Sequence, residues 1–261
     1  MKFIKVCAVA ALALATSVAS ANSVLVVDDF DVNQGPITVS GSVAGGEVSS
    51  GWQAVSGAGI LGGSREMQVV KTAGNSSQAI SVNVSDSVLN YSVDSLARGT
   101  GYLRWDGAAD NAAGFGLGAN LASYDDIRFL VQFSDAGYVF EVGFYTDANT
   151  YSVFRSIADS VGDVSTGAIW ASPNEFAFPL SVFNTPFGDP LVDSRYMTCG
   201  TGGCVDFANV GAIQMVIDPF AQRTALDLTL DKVSVVSEPG SAILGLVGIG
   251  ALAGIRRRKT A

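Results

Sequence analysis

Polar and aromatic side chains alternate with apolar ones along several short segments of this 261-residue chain, including DIRFLVQF, YVFEVGFY, YSVFRSI and AIQMVID. Such alternation places the polar set on one face of a β-sheet and the apolar set on the other. If the segments pair, one face collects seven residues: Arg128, Gln132, Glu141, Tyr145, Tyr151, Arg155 and Gln214. Aromatic rings stack on sugar rings, and amides and charged groups bind hydroxyls, so this set suits a glycan. An ordinary solvated sheet face explains the same pattern, and periodicity alone favours that simpler explanation.

The chain contains no histidine, and this excludes several kinds of chemistry. Ser-His-Asp and Cys-His catalysis, histidine general bases and His-ligated zinc all need an imidazole. Glycoside hydrolysis needs only two carboxylates, but nothing in the sequence singles out a pair. We therefore expect no enzyme, with a glycoside hydrolase as a distant alternative.

Residues 22–236 are strongly acidic, with nine Lys and Arg against 23 Asp and Glu and hence a net charge of -14. A body of this charge repels phosphate backbones, so no nucleic acid partner is expected. Solubility explains the charge more simply than a specific cation-binding role does.

Residues 1–21 have the three parts of a secretory signal peptide. Lys2 and Lys5 precede an apolar run, and the small residues Ala19, Ser20 and Ala21 come just before the polar Asn22. This order predicts export, with cleavage between Ala21 and Asn22.

A second apolar segment, residues 241–255, is followed by Arg256, Arg257, Arg258 and Lys259. Fifteen helical residues rise about 22 Å, which is marginally enough to span a membrane when the flanking residues reach the interface. The arginines are expected on the cytoplasmic side. The tail is therefore predicted to be a transmembrane helix.

Glu238-Pro239, a weak apolar helix and an Arg-rich end follow one another in residues 237–261. This order resembles the PEP-CTERM sorting signal of Gram-negative bacteria, although Ser237 stands where that family has its first proline. The resemblance implies processing by signal peptidase and by an exosortase, which cleaves near the motif. It also implies a cell-surface or extracellular location after transient anchoring in the inner membrane.

About ten short segments rich in β-branched and aromatic residues lie between residues 22 and 236, separated by Asp, Asn, Gly and Pro. Their number and spacing predict one all-β domain over residues 22–236, a β-sandwich with Greek-key or jelly-roll connections. The stretch from Gly35 to Gly63 is expected to be rich in loops.

The body is similar to galactose-binding-like jelly rolls, which include the family 11 carbohydrate-binding modules. The resemblance rests on VVDDFD, Arg128 in DIRFLVQF, FPLSVF, DFANVGAIQMVID and LTLDKVSVV, in that order. It implies a β-sandwich, a glycan on the concave face of one sheet, and a calcium ion that ties the first and last strands.

Asp29 or Asp31, together with Asp231, are the candidate ligands for that calcium ion. The stretch from Asp29 also offers alternating oxygen ligands like an EF-hand loop, but its glycine falls one place late and position twelve is Ser40, so the EF-hand assignment fails. Asp and Asn side chains that bond their own backbone in a turn also explain the stretch.

Cys199 and Cys204 are the two cysteines outside the signal peptide. In an exported protein two cysteines at this spacing are expected to form a disulfide that closes a small loop. A metal site would need more thiols or a nearby histidine.

Together these observations favour an exported surface or matrix protein with a structural or interaction role in the envelope or a biofilm. The alternative is a module that binds glycan or exopolysaccharide on the predicted sheet face.

Overall fold

The computed structural model describes residues 23–43, 46–110, 112–157, 174–189 and 195–237. The predicted signal peptide with its cleavage point at Ala21 and Asn22 lies outside these residues. So do Glu238 and Pro239 of the sorting motif and the tail with its arginines, and all of these stay predictions. Within the described part of the chain, no helix has the length and apolar character needed to cross a membrane.

Alternating sequence patterns form strands throughout the described residues, and short 3₁₀ turns occur at Leu61–Gly63 and Leu180–Asn184. In chain order the strands of the described residues are β1 (Val24–Asp28), β2 (Gln34–Val39), β3 (Val48–Ser49), β4 (Gln53–Ser56), β5 (Ser64–Ala73), β6 (Ile80–Ser85), β7 (Val88–Val93), β8 (Arg98–Trp105), β9 (Asp126–Ser134), β10 (Val139–Tyr145), β11 (Tyr151–Ile157), β12 (Asn174–Pro179), β13 (Tyr196–Cys199), β14 (Ala212–Ile217) and β15 (Asp227–Val236).

These strands form two sheets. The seven-stranded sheet has the order β12-β9-β15-β7-β6-β2, and β1 also pairs with β15. The eight-stranded sheet has the order β13-β11-β10-β14-β8-β5-β3, and β4 also pairs with β5. The strands of each neighbouring pair run antiparallel. The described residues therefore form an all-β sandwich of two antiparallel sheets.

One hydrophobic core lies between the sheets and is built from every second residue of their strands. Phe129 and Val131 of β9 point into it from one side, and Phe140 and Phe144 of β10 point into it from the other. The Phe129 and Phe140 rings meet across the core at a centroid distance of 6.2 Å. The intervening residues of each strand are left for the outer faces.

Two glycines of β8 contact Tyr91 of the opposite sheet, one beside its ring and one through its hydroxyl. A Cβ atom at Gly101 would lie 2.8 Å from Cε2 of the Tyr91 ring, which is closer than carbon atoms pack. The buried Tyr91 hydroxyl donates to the carbonyl oxygen of Gly99 at 2.9 Å. Gly101 thus leaves room for a large ring in the core, and the Gly99 carbonyl oxygen satisfies its hydroxyl.

A buried ion pair ties the two sheets together. Asp28 at the end of β1 accepts hydrogen bonds from Arg65 Nη1 of β5 at 2.9 and 3.0 Å and from Trp105 Nε1 of β8 at 2.8 Å. Arg65 also donates to Gln34 Oε1 at 2.9 Å and to the carbonyl oxygen of Val32 at 2.7 Å. The side chains of Asp28, Arg65 and Trp105 are fully buried, so this cluster holds β1 against the eight-stranded sheet.

The structure departs from the predicted strands in places where tertiary contacts override the local pattern. The stretch predicted to be rich in loops contains β2, β3 and β4. Phe133 belongs to the apolar set of DIRFLVQF but is 38% exposed, because register shifts between β9 and β15 interrupt the alternation at this point. Asp218 belongs to the polar set of AIQMVID but is fully buried, and it accepts the backbone amides of Gln222 and Arg223 at 3.2 and 2.9 Å.

Candidate functional site

Five of the seven predicted face residues lie on the outer side of the eight-stranded sheet: Glu141 and Tyr145 on β10, Tyr151 and Arg155 on β11, and Gln214 on β14. These strands are adjacent in the sheet, so the five residues share one surface, which we call the candidate face.

Arg128 and Gln132 do not belong to this face, because β9 is part of the seven-stranded sheet. Arg128 is instead paired with Glu175 at 2.9 Å and with Asp126 at 3.2 Å. Gln132 Nε2 donates to Asp231 Oδ1 at 2.9 Å. The prediction that all seven residues share one face is therefore wrong for these two.

Three aromatic side chains form a continuous row on the candidate face, which we call the aromatic row. The Phe115 ring lies 6.0 Å from the Tyr145 ring, and the Tyr145 ring lies 5.5 Å from the Tyr151 ring. Tyr145 folds back over Gly143, since a Cβ atom there would lie 2.7 Å from its Cε2 atom and 2.9 Å from its hydroxyl oxygen. Burial raises the pKa of the Tyr145 phenol, so the hydroxyl stays a neutral hydrogen-bonding group.

Arg104 of β8 lies beside this row with its guanidinium held in place. Its Nη1 atom donates to Gln214 Oε1 at 2.8 Å, and its Nη2 atom donates to the carbonyl oxygen of Gly114. The guanidinium carbon lies 4.9 Å from the centre of the Phe115 ring and 5.1 Å from that of Tyr145, within cation–π range. Arg104 is only 3% exposed, so its side chain braces the two rings and the amide of Gln214.

The strand register explains why these groups meet. Gly143, Gln214, Arg104 and Glu66 lie opposite one another on β10, β14, β8 and β5. Residues that are directly opposite on one face of a sheet have neighbouring side chains. Because Tyr145 covers Gly143, its ring comes first in this row of opposed residues. The Gln214 amide, the Arg104 guanidinium and the Glu66 carboxyl group follow.

A second stacked cluster occupies the candidate face four residues further along β11. The guanidinium carbon of Arg155 lies 4.2 Å from the centre of the Tyr196 ring and 4.0 Å from that of Phe220. Glu141 Oε1 accepts hydrogen bonds from Arg155 Nε at 2.7 Å and from the Tyr196 hydroxyl at 2.8 Å. Phe220 is 43% exposed and so presents a ring to solvent beside the paired charges.

Two carboxyl groups under the edge of this face hold a loop. Glu66 Oε1 accepts the backbone amide of Ala112 at 3.1 Å, and Asp106 Oδ2 accepts that of Gly114 at 2.6 Å. Both carboxylic side chains are fully buried. Burial and, to a smaller extent, the neighbouring Asp106 raise the pKa of Glu66 to about 7. The next residue in the loop, Phe115, is the first member of the aromatic row.

The structure joins Cys199 and Cys204 in a disulfide, which is the pairing expected from the sequence. The loop that it closes lies beside Tyr151: the Gly200 amide donates to the Tyr151 carbonyl oxygen at 2.9 Å, and the Tyr151 amide donates to that of Gly203 at 3.2 Å. This loop thereby fixes the backbone of the last member of the aromatic row.

The predicted calcium ligands do not form a site in the structure. Asp29 Oδ1 accepts the backbone amide of Asp31 at 3.2 Å, as in an Asx turn, while Asp231 accepts from Gln132 on the outer side of the seven-stranded sheet. In the residues that the structure describes, no group of three or more Cys, Asp or Glu side chains is arranged to hold a metal ion. Calcium binding by Asp29 or Asp31 with Asp231 finds no support in these contacts and stays a prediction.

A pocket of about 360 Å³ lies away from the candidate face, where β9 begins and β12 ends. Leu121, Tyr124, Asp125, Pro179 and Phe207 are among its lining residues. None of the seven predicted face residues contributes to its lining, so we place the candidate site on the sheet face.

Sequence reasoning missed several residues of the candidate face. Arg104 and Tyr102 could have been found, because they alternate with the buried Leu103 and Trp105 in YLRWDG. Tyr102 packs edge-on against Trp52 with a centroid distance of 6.0 Å. Phe115 lies in a glycine-rich loop without periodicity, so the sequence carried no signal for it.

Comparisons with known proteins give no family for this chain. No protein-family model matches it, and no curated protein matches it. Among solved structures it is similar to CtCBM11, a carbohydrate-binding module described in a study of solution structure, dynamics and binding. The identity is 14%, the alignment covers 84% of this chain and 98% of the other, and the TM-score is 0.39. A likeness this weak carries no argument about function.

Proposed function

We propose that this protein binds polysaccharide on the candidate face. One observation carries the proposal: the aromatic row lies beside a fixed guanidinium and an amide on one open sheet surface. Rings of this kind stack on the apolar faces of sugars. Gln214 supplies an amide at the edge of the rings, and the buried Arg104 holds it there.

The rigidity of these groups also favours binding. Arg104 is held by Gln214, Gly114 and two rings, and Arg155 lies between Tyr196 and Phe220. Side chains already held in one conformation lose little entropy when a ligand binds. The face is therefore preorganised for a ligand with both apolar faces and hydroxyl groups.

The carboxyl groups of this face support binding rather than hydrolysis. Glu66 and Glu141 lie on strands that are three positions apart in the sheet, which separates them by about 14 Å. Glycoside hydrolases place their two carboxyl groups about 5–10 Å apart. Asp106 is a carboxyl group closer to Glu66 than Glu141 is, but Glu66 and Asp106 are both fully buried beneath the loop.

Affinity electrophoresis of the purified protein against neutral and acidic soluble polysaccharides tests the proposal, with calorimetry on any that retards it. Tyr151→Ala and Phe115→Ala should each weaken binding about five- to thirtyfold, because each removes a stacking ring. Phe133→Ala is the matched control, since Phe133 and Phe115 are each 38% exposed and Phe133 lies on the other sheet. Unchanged mobility on every polysaccharide tested would refute glycan binding and favour the structural role.

We further propose that the sandwich is a galactose-binding-like jelly roll that acts outside the cell, at the surface or in the extracellular matrix. The predicted signal peptide and the PEP-CTERM-like order of residues 237–261 support this location. The intact mass of the protein from its native host tests it. A mass that begins at Asn22 and ends near Ser237 is the expected result, and a mass that still includes Arg256–Lys259 would refute exosortase processing.

A further inference from the structure

We propose that Glu66 is a positioning residue for the candidate face: its carboxyl group holds the loop that carries Phe115, and its ionisation releases that loop and weakens glycan binding. This inference rests on the proposed function and concerns the regulation of the same face. Glu66 itself is covered by the loop and is not assigned a contact with the glycan.

Three polar contacts attach residues 112–116 to the sheet. The Ala112 amide is shared between Glu66 Oε1 on the sheet and Asp110 Oδ1 nearby in the chain, both at 3.1 Å, and the Gly114 amide donates to Asp106. The third contact joins the Gly114 carbonyl oxygen to Arg104. Phe115 comes directly after the second anchor, and its ring contacts both Tyr145 and the Arg104 guanidinium. The position of this ring therefore depends on contacts made by buried side chains below the loop.

One oxygen of Glu66 is buried without a hydrogen-bond partner. Glu66 is 0% exposed, and its Oε2 atom has no partner among the described residues. The charged groups that act on it are Asp106 and Asp110, which oppose its ionisation, and Arg104, which favours it. On its other side β4 places the uncharged Ala54 opposite it. An ionised Glu66 thus has an unsolvated negative charge close to other carboxylates, which is costly.

Lifting residues 112–116 would admit water to this carboxylate, so ionisation favours the lifted state. Neutral Glu66 has no charge to solvate and still accepts the Ala112 amide through Oε1, so the loop stays attached. Burial and Asp106 raise the pKa of Glu66 to about 7, which places the change near neutral pH. The aromatic row should therefore be complete in mild acid and lose Phe115 in mild alkali.

The first experiment measures the Kd of a retarding polysaccharide between about pH 5.5 and about pH 8.5. Wild-type protein should bind more weakly at the alkaline end, by up to the roughly five- to thirtyfold loss expected for Phe115→Ala. Glu66→Gln, which stays uncharged, should keep the acid-side affinity throughout. Glu175→Gln removes an exposed carboxylate on the other sheet and should follow the wild type. A flat wild-type profile, or an unchanged slope in Glu66→Gln, would overturn the proposal.

The second experiment needs no glycan and separates this inference from the proposed function. Amide hydrogen exchange at Ala112 and Gly114 should accelerate above about pH 7 beyond its intrinsic pH dependence in the wild type, but not in Glu66→Gln. If exchange shows no such excess, the proposal is overturned whether or not a glycan binds. If the excess is present while no polysaccharide binds at any pH, the attachment of the loop to Glu66 is supported and the proposed function is refuted.

Discussion

Substituting Gly143 by alanine should weaken glycan binding with little effect on folding. The new Cβ atom would lie 2.7 Å from Cε2 and 3.0 Å from Cζ of the Tyr145 ring, whereas carbon atoms pack at about 3.5–4.0 Å. The ring must therefore move by about 1 Å, away from its contacts with Tyr151 and Arg104. Loss of one stacking surface costs about 1–2 kcal/mol, so we expect binding about five- to thirtyfold weaker.

Calorimetry with the polysaccharide that retards the wild type measures this effect, and thermal unfolding measures stability alongside it. Gly143 lies in β10 and has no positive φ angle, so alanine suits its backbone and the stability change should stay below about 1 kcal/mol. Gly41→Ala is the control, because its Cβ would meet only Val48 at ordinary contact distance. Wild-type affinity in Gly143→Ala would show that the position of Tyr145 does not matter, which would refute the reasoning.

Three further predictions concern stability and can be read from denaturant unfolding. Lys71→Met should lower the free energy of unfolding by about 3 kcal/mol or more. The buried Lys71 ammonium donates to the carbonyl oxygens of Gly41, Asn75 and Gln78 at 2.6–2.8 Å, and these oxygens would lose their donor. The control Lys232→Met on β15 should cost under about 1 kcal/mol, and equal losses in the two variants would contradict this account. Asp28→Asn should cost about 3–5 kcal/mol, because the buried Arg65 loses its ion-pair partner and keeps only the weaker attraction of Asp29. A loss below about 1 kcal/mol, which is typical of an exposed ion pair, would contradict it. Because the pKa of Glu66 is raised in the folded state from 4.5 to about 7, the folded protein holds this proton more tightly than the unfolded chain. The free energy of unfolding should therefore fall by up to about 3 kcal/mol as pH rises through that interval, relative to Glu66→Gln, and parallel pH profiles would refute it.

The sequence predicted well which residues of a strand face outward. In β10, β11 and β14, period-2 alternation separates Glu141, Tyr145, Tyr151 and Gln214 from the buried residues between them. This works because the side chains of a strand must alternate whatever its partners are. The pattern is local, so it needs no knowledge of the fold.

The sequence could not predict which strands share a sheet. Arg128 and Gln132 alternate as clearly as Tyr145 does, yet β9 pairs with β12 and β15 on the other side of the core. Pairing is decided by long-range packing, which alternation does not encode. For the same reason Phe115 was missed: a loop residue joins the aromatic row only because buried carboxyl groups of other segments hold its neighbours.

The loop closed by Cys199 and Cys204 links the assembly of the aromatic row to the environment in which the chain folds. Gly200 and Gly203 of that loop form hydrogen bonds with the carbonyl oxygen and the amide of Tyr151. The loop is closed only when both thiols are oxidised. Closing a loop removes freedom from the open chain, so a chain that folds with free thiols must order the same glycines without that help. Oxidation of the two thiols therefore stabilises the backbone beside Tyr151, and a chain with free thiols should hold this end of the aromatic row less firmly.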